Sequence, residues 1–171
     1  MKGLFRGLHI SAGQAPKGAA PKKERAVTRL LVPLGGTSSA LDDEVVQLAC
    51  TLASQMQASI LFLHVIQVPR TLPVDAELPA QTHRGDEILL RAEQEAQRQH
   101  IAAETALVQA REIGPAIVNE AVDRGVDLIV MGIDPDRRSG TFHIGQIASY
   151  VLEHAPCAVI ARRQALAELA R

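Results

Sequence analysis

The fold class this sequence predicts is an α/β domain, a parallel sheet with helices on both faces, and three observations predict it. From Thr28 onward, short apolar runs alternate with stretches whose apolar residues recur at 3.6-residue spacing. The runs are apolar throughout instead of alternating with polar residues, as strands are when both faces of a sheet are covered. Hydrophobic residues make up 47 % and charged residues 22 % of a chain of 171, which suits one aliphatic core in one domain.

Each element has its own signal. Leu30–Leu34 is a strand-length run ending in Gly35-Gly36. Ser39 with Asp42 three residues later forms a capping box, and Leu41, Val45, Leu48, Ala49, Leu52 and Met56 make the apolar stripe of a first helix. Ile60–Val65 is the second strand. Gln67–His83 carries Pro69, Pro73 and Pro79 and reads as a loop, long enough to be either functional or loose. A second helix from about Gly85 to Ile101 places Ile88, Leu89, Ala92 and Ala96 on one face, and Thr105–Gln109 is the third strand. Gly114-Pro115 opens a third helix, where proline lacks only an amide that has no helical partner, and Gly125 closes it. Asp127–Met131, the fourth strand, ends at Gly132. A loop over Ile133–His143 leads to a fourth helix with Ile144, Ile147, Ala148, Val151 and Leu152 on its face, and Pro156 stops it before a last strand, Cys157–Ala161. Ligands of such sheets sit beyond the carboxyl ends of the strands, where the winding reverses, so Gly35–Ser39 and Gly132–Gly145 are the candidate loops.

Composition and charge exclude several classes. An aromatic fraction of 2 % leaves too few rings for a base-stacking nucleic-acid platform. Residues 1–29 hold seven basic groups against one acid, Glu24, while the rest of the chain holds eleven basic groups against eighteen acids. An acidic body with a basic leader is not a nucleic-acid-binding domain, whose cations would lie on the fold itself. Residues 1–26 read as a flexible basic extension, 27–163 as the folded domain and 164–171 as a tail. Within the leader, Leu4, Phe5 and Leu8 have helical spacing, and Met1–Ile10 is the only segment suited to a membrane surface or a docking partner; a solvated tail is the favoured reading. No apolar run reaches membrane-spanning length and the leader lacks an unbroken signal-peptide core, so the expected location is cytoplasmic. Cys50 and Cys157 are far apart without paired spacing and read as reduced thiols.

The search for reactive motifs returns mostly absences. Gly140–Gly145 has P-loop spacing, but Gln146 follows where the phosphate-binding lysine is required. There is neither a G-x-G-x-x-G nor a G-x-S-x-G segment. The six histidines show no metal-ligand spacing; His64, inside an apolar run, reads as a hydrogen-bonded core residue, and His143 as a surface residue near a candidate phosphate loop.

Met131-Gly132-Ile133-Asp134-Pro135, Ser139-Gly140, Gly145-Gln146 and His154-Ala155-Pro156-Cys157 together resemble the closing segment of the universal stress protein family. Leu31–Thr37 is similar to its opening strand and Leu63-His64-Val65 to its second. The resemblance covers roughly residues 28–163 and implies a five-stranded, doubly wound sheet in the order 3-2-1-4-5, and a homodimer. Part of the family binds ATP through G-x2-G-x9-G-[ST] with an acid after strand one. The resemblance therefore implies a binding site at Pro33, Leu34, Gly35, Val65, Met131, Gly132, Pro135, Gly145 and Gln146, to which the charges of Arg137 and Arg138 in the same loop add two candidates. Three of these depart from the pattern: Gly35 replaces the acid, Pro135 the middle glycine and Gln146 the hydroxyl residue. They remove an acceptor, a backbone donor and a small hydroxyl, which Arg137 and Arg138 offset only in part. The expectation is weak or absent ATP binding, no certain cofactor and no metal.

The favoured function is a dimeric stress-response or regulatory protein that acts by association with an unknown protein partner and not by catalysis. An ATP-binding, weakly hydrolysing switch is the first rival. A subunit tethered to a larger assembly by its basic leader is the second. Dimerisation is expected through the apolar edge strand Cys157–Ala161, with Arg162 and Arg163 flanking the seam and the tail able to cap the edge instead.

Overall fold

The computed structural model describes residues 26–35, 39–133 and 144–163. Five strands and four helices alternate along the chain: β1 Arg29–Pro33, α1 Ser39–Met56, β2 Ser59–Gln67, α2 Pro79–Arg98, β3 Ala103–Ala110, α3 Ile113–Asp123, β4 Leu128–Ile133, α4 Gln146–His154 and β5 Ala158–Arg163. All four strand pairings are parallel and the order is β3-β2-β1-β4-β5. The expected fold class and strand order are therefore the observed ones.

Alternation along each strand divides the apolar residues between two cores. Leu30 and Val32 of β1, Ile60 and Phe62 of β2 and Leu128 and Val130 of β4 face α1 and α2, meeting Val45, Ala49, Ile88, Leu89 and Ala92. Their neighbours Leu31, Leu61, Leu63, Ile129 and Met131 face α3 and α4, meeting Ala116, Ile117, Ala121, Ala148 and Val151. Strands lined on both sides in this way have no polar face, which is why their sequence shows none.

Three of the returns from helix to strand share one device. After α1, the Ala58 amide bonds the Ala53 carbonyl at 2.9 Å and that of Gln57 bonds Ser54 at 3.4 Å. After α2, Ile101 bonds Ala96 at 2.9 Å and His100 bonds Gln97 at 3.0 Å; after α3, Val126 bonds Ala121 at 2.9 Å and Gly125 bonds Val122 at 3.1 Å. These are Schellman closures, with a left-handed residue at the turn (Gln57 at φ 54°, His100 at 57°, Gly125 at 61°). Gly125 thus ends α3 as expected, while two helices use a side-chain-bearing residue for the same task.

Several boundaries move. β1 is displaced by one residue from the expected Leu30–Leu34, and α1 begins at Ser39 itself. The proline-rich stretch expected to run as a loop to His83 becomes helical at Pro79, which occupies the first turn, so α2 spans Pro79–Arg98 and not Gly85–Ile101. β3 exceeds the expected strand at both ends. On α4, Ile144 precedes the helix and, like Ile147 and Leu152, stays exposed; only Ala148 and Val151 of the expected face are buried. β5 starts after Cys157 and runs on through Arg162 and Arg163. Arg162 folds back over α1, with Nε and Nη2 at 2.8 and 2.7 Å from Glu44 Oε2.

Candidate functional site

The two central strands are joined at one end and forked at the other. Beside β4, Asp127 Oδ2 accepts from Thr28 N at 3.0 Å, Thr28 Oγ1 at 2.8 Å and Arg29 N at 3.2 Å, clasping the amino ends of β1 and β4. The β1–β4 ladder then covers only Leu30↔Leu128 and Leu31↔Ile129. β1 stays with β2 as far as Pro33↔Leu63, and β4 stays with β5 as far as Ile133↔Arg163. Between the diverging carboxyl ends of β1 and β4, where the winding of the sheet reverses, lies a cleft of about 1090 Å³.

Of the residues expected at the site, Pro33, Leu34, Gly35, Val65, Met131, Gly132, Gly145 and Gln146 line this cleft together. Pro135, Arg137 and Arg138, like His143 and residues 36–38, lie outside the described residues. Leu34 is held on both sides: its amide bonds the Leu63 carbonyl at 2.8 Å and its carbonyl meets His64 Nδ1 at 2.8 Å. With a carbonyl as its partner, Nδ1 carries the proton, so His64 is the hydrogen-bonded residue its sequence context indicated.

The two glycines have different grounds. Gly132 sits in β4 with its face toward α1, where an added Cβ would lie 3.0 Å from Leu41 Cγ and Cδ2 and 3.3 Å from Val45 Cγ2. Packing requires its small size. Gly145 has open space around it and an extended backbone (φ −60°, ψ 158°), so neither packing nor conformation requires glycine there. It caps α4 without any side-chain hydrogen bond, and the helix's own ladder begins with Ser149 N to Gly145 O at 3.0 Å. The amides of Gln146, Ile147 and Ala148 lie outside that ladder at a helix end bordering the cleft, an arrangement suited to an anion. The start of α3 also borders the cleft, but Pro115 contributes no amide and Glu112 brings a negative charge.

Sequence reasoning missed the far wall, formed by Gln67 at the end of β2 with Val68, Pro69 and Arg70 beyond it, and by Arg111, Glu112 and Gly114 after β3. The rule that ligands lie beyond carboxyl ends applies to every strand of the sheet, and it would have included them. Tyr150 of α4 completes that side, packed 3.0 Å from the position of a Cβ at Gly114 and stacked on His154 with centroids 4.1 Å apart. The proline-rich connection is not loose: Val68 N bonds Ala110 O at 2.8 Å and Gln109 Nε2 bonds Ala76 O at 3.2 Å.

Among the described residues Glu112 is the only carboxylate lining the cleft, and no group of three His, Cys, Asp or Glu is placed to hold a metal ion. Both cysteines are free thiols. Burial first, then the charge of Glu95, pushes the Cys50 thiol up to about 11. Burial followed by Asp127 raises that of Cys157, against a lowering hydrogen bond from the Ile129 backbone. Neither is poised as a nucleophile. No helix among the described residues is long and apolar enough to cross a membrane.

Comparison with known proteins agrees with this architecture. No curated protein matches the sequence. Among solved structures, a universal stress protein from Archaeoglobus fulgidus superimposes with a TM-score of 0.67 at 20% identity, over 78% of this chain and 97% of that one. A universal stress protein from Archaeoglobus fulgidus in complex with dAMP gives 0.63 at 18% identity, over 80% and 98%. A family protein from Arabidopsis thaliana with AMP bound gives 0.57 at 17% identity, over 82% and 94%. At these identities the likeness is one of fold. The sequence profile of the universal stress protein family matches residues 26–163, the whole of the alternating sheet and helices, and the chain belongs to that family.

Proposed function

We propose that the chain binds an adenine nucleotide weakly in the β1–β4 cleft and acts by association with a protein partner, as a cytoplasmic two-fold dimer and without chemistry of its own. The observation that carries this reading is the start of α4: an uncapped helix end bordering the fork of the sheet, preceded by a glycine that neither packing nor backbone angle demands. A glycine in such a place suits close approach of a ligand to the backbone. Structural neighbours in complex with dAMP, cAMP and AMP support an adenine nucleotide as the ligand.

Weakness follows from Gly35, Pro135 and Gln146, which together withdraw an acceptor, a donor and a hydroxyl. At about 1 kcal/mol for each lost hydrogen bond, the combined loss is about 3 kcal/mol, or around a hundredfold in affinity. Association in place of catalysis is supported by Glu112, the single carboxylate among the described residues lining the cleft, which lies 3.5 Å from Arg70 on the rim. Titration calorimetry with ATP and AMP tests the proposal. The expected dissociation constant is about 0.1 mM or weaker, tightened by Gly35→Asp, Pro135→Gly and Gln146→Ser together. A constant below about 10 μM for the unaltered chain overturns the degenerate-site reading, and phosphate release from ATP overturns the non-catalytic one.

A further inference from the structure

Arg111 opens the β3–α3 connection beside the cleft, yet its charge is turned on the protein. Nη1 donates to the Val68 carbonyl at 3.3 Å and to that of Pro69, and Nη2 donates to that of Leu72 at 2.7 Å. Three carbonyls of a single turn converge on one planar donor set, a geometry that guanidinium matches and ammonium does not. The Arg111 carbonyl in turn accepts from Gln67 Nε2 at 3.1 Å. Beyond Val68, 1 % exposed, this turn has little apolar anchorage, for Leu72 and Val74 remain 40 % and 47 % exposed. Its shape rests on polar bonds to β3 and to the residue that follows it, Arg111, whose bonds are the most numerous. Residues 67–70 form the cleft wall two strands away from the start of α4.

We infer that Arg111 is a positioning residue: it holds the Val68–Leu72 turn as the wall that receives the base end of the ligand, while α4 receives the phosphate end. The inference rests on the nucleotide reading proposed above. The wall offers Val65, Val68 and Pro69 beside the Gln67 amide, a surface suited to a flat, partly polar ring, and its two cations are both engaged, Arg111 by the three carbonyls and Arg70 by Glu112 at 3.5 Å.

The test uses the full chain and two variants, Arg111→Met, which keeps the stem without donors, and Arg111→Lys, which keeps the charge without the fork. AMP and inorganic tripolyphosphate are titrated against each, and amide exchange is followed along the chain. For Arg111→Met, exchange is expected to quicken over residues 68–76 while β1 and β4 keep their protection. AMP affinity is expected to fall about tenfold and tripolyphosphate affinity to change by less than about twofold, with Arg111→Lys between the two for AMP. A merely structural role would weaken both ligands alike, and that result overturns the inference. So do unchanged exchange over 68–76 and unchanged AMP affinity. If the unaltered chain binds neither ligand, the nucleotide reading fails, and exchange over 68–76 alone decides whether Arg111 holds the wall.

Discussion

A methyl group added at Gly132 and one added at Gly145 would meet opposite surroundings. At Gly132 it would press on Leu41 and Val45 at 3.0–3.3 Å, and overpacking of that kind costs about 1–3 kcal/mol. At Gly145 it would meet nothing within 4 Å, and the loss of a glycine cap costs at most about 1 kcal/mol. Urea unfolding of Gly132→Ala and Gly145→Ala should therefore separate them clearly, with the first destabilised and the second close to the unaltered chain. Nucleotide affinity should fall in Gly145→Ala all the same. An unchanged affinity there would remove the start of α4 from the binding site. Spacing alone does not distinguish the two glycines, because a pattern of letters carries no information about which glycine faces a helix and which faces an open cleft. That difference becomes visible only once Leu41 is seen beneath Gly132.

At the scale of elements, legibility followed burial. β1, β2 and β4, apolar on both faces, were recognisable to within one or two residues at most of their ends. α2 begins earlier than its pattern indicates, because proline reads as a breaker and residues 80–84 show no apolar period; that first stretch is largely solvent-facing. α4 was overestimated for the opposite reason, since Ile147 and Leu152 carry the letters of a buried face without being buried. The helix ends offer a test of their own. Gln57 and His100 adopt left-handed angles where glycine is at ease, and a side chain there costs about 1 kcal/mol. Gln57→Gly and His100→Gly are each expected to raise the urea midpoint, whereas Gly125→Ala should lower it. The amino-terminal boundary is a further case. Among the described residues Val27 is the first packed on the core and Thr28 the first tied to Asp127, so deletion of residues 1–26 should leave both in place. Thermal unfolding should shift by less than about 5 °C; a larger drop would mean that the basic leader packs on the domain.

For the molecule as a whole, the sheet has two edges with different chemistry. β3 carries Glu104 and Gln109, while the β5 edge presents Ala158, Val159, Ile160 and Ala161, partly exposed on a strand that pairs only with β4 among the described residues. An apolar edge of this kind is a template for a second copy. Light scattering is expected to give about twice the 18.4 kDa chain mass, and a clean monomer at micromolar concentration would remove the dimer from the proposed function. The strand order was legible through resemblance, since apolar runs alone do not say which strands are neighbours. The cleft was legible in part: its near side follows from the glycine spacing, whereas its far wall depends on Arg111 reaching across to carbonyls some forty residues earlier in the chain.

His64 carries the stability of the fold into the mouth of the cleft. Its ring holds the Leu34 carbonyl on one side. On the other it lies against Gly85 of α2, where an added Cβ would come within 2.8 Å of the ring and 2.5 Å of Leu107. α2 therefore bears directly on the residue at which β1 opens into the site, as a lever bears on a latch. A bulkier side chain on that face of α2, Gly85→Ala being the smallest, would tilt the ring and loosen Leu34 without touching any ligand. Variation on the outer layer of this domain thus reaches the carbonyl at the mouth of the cleft.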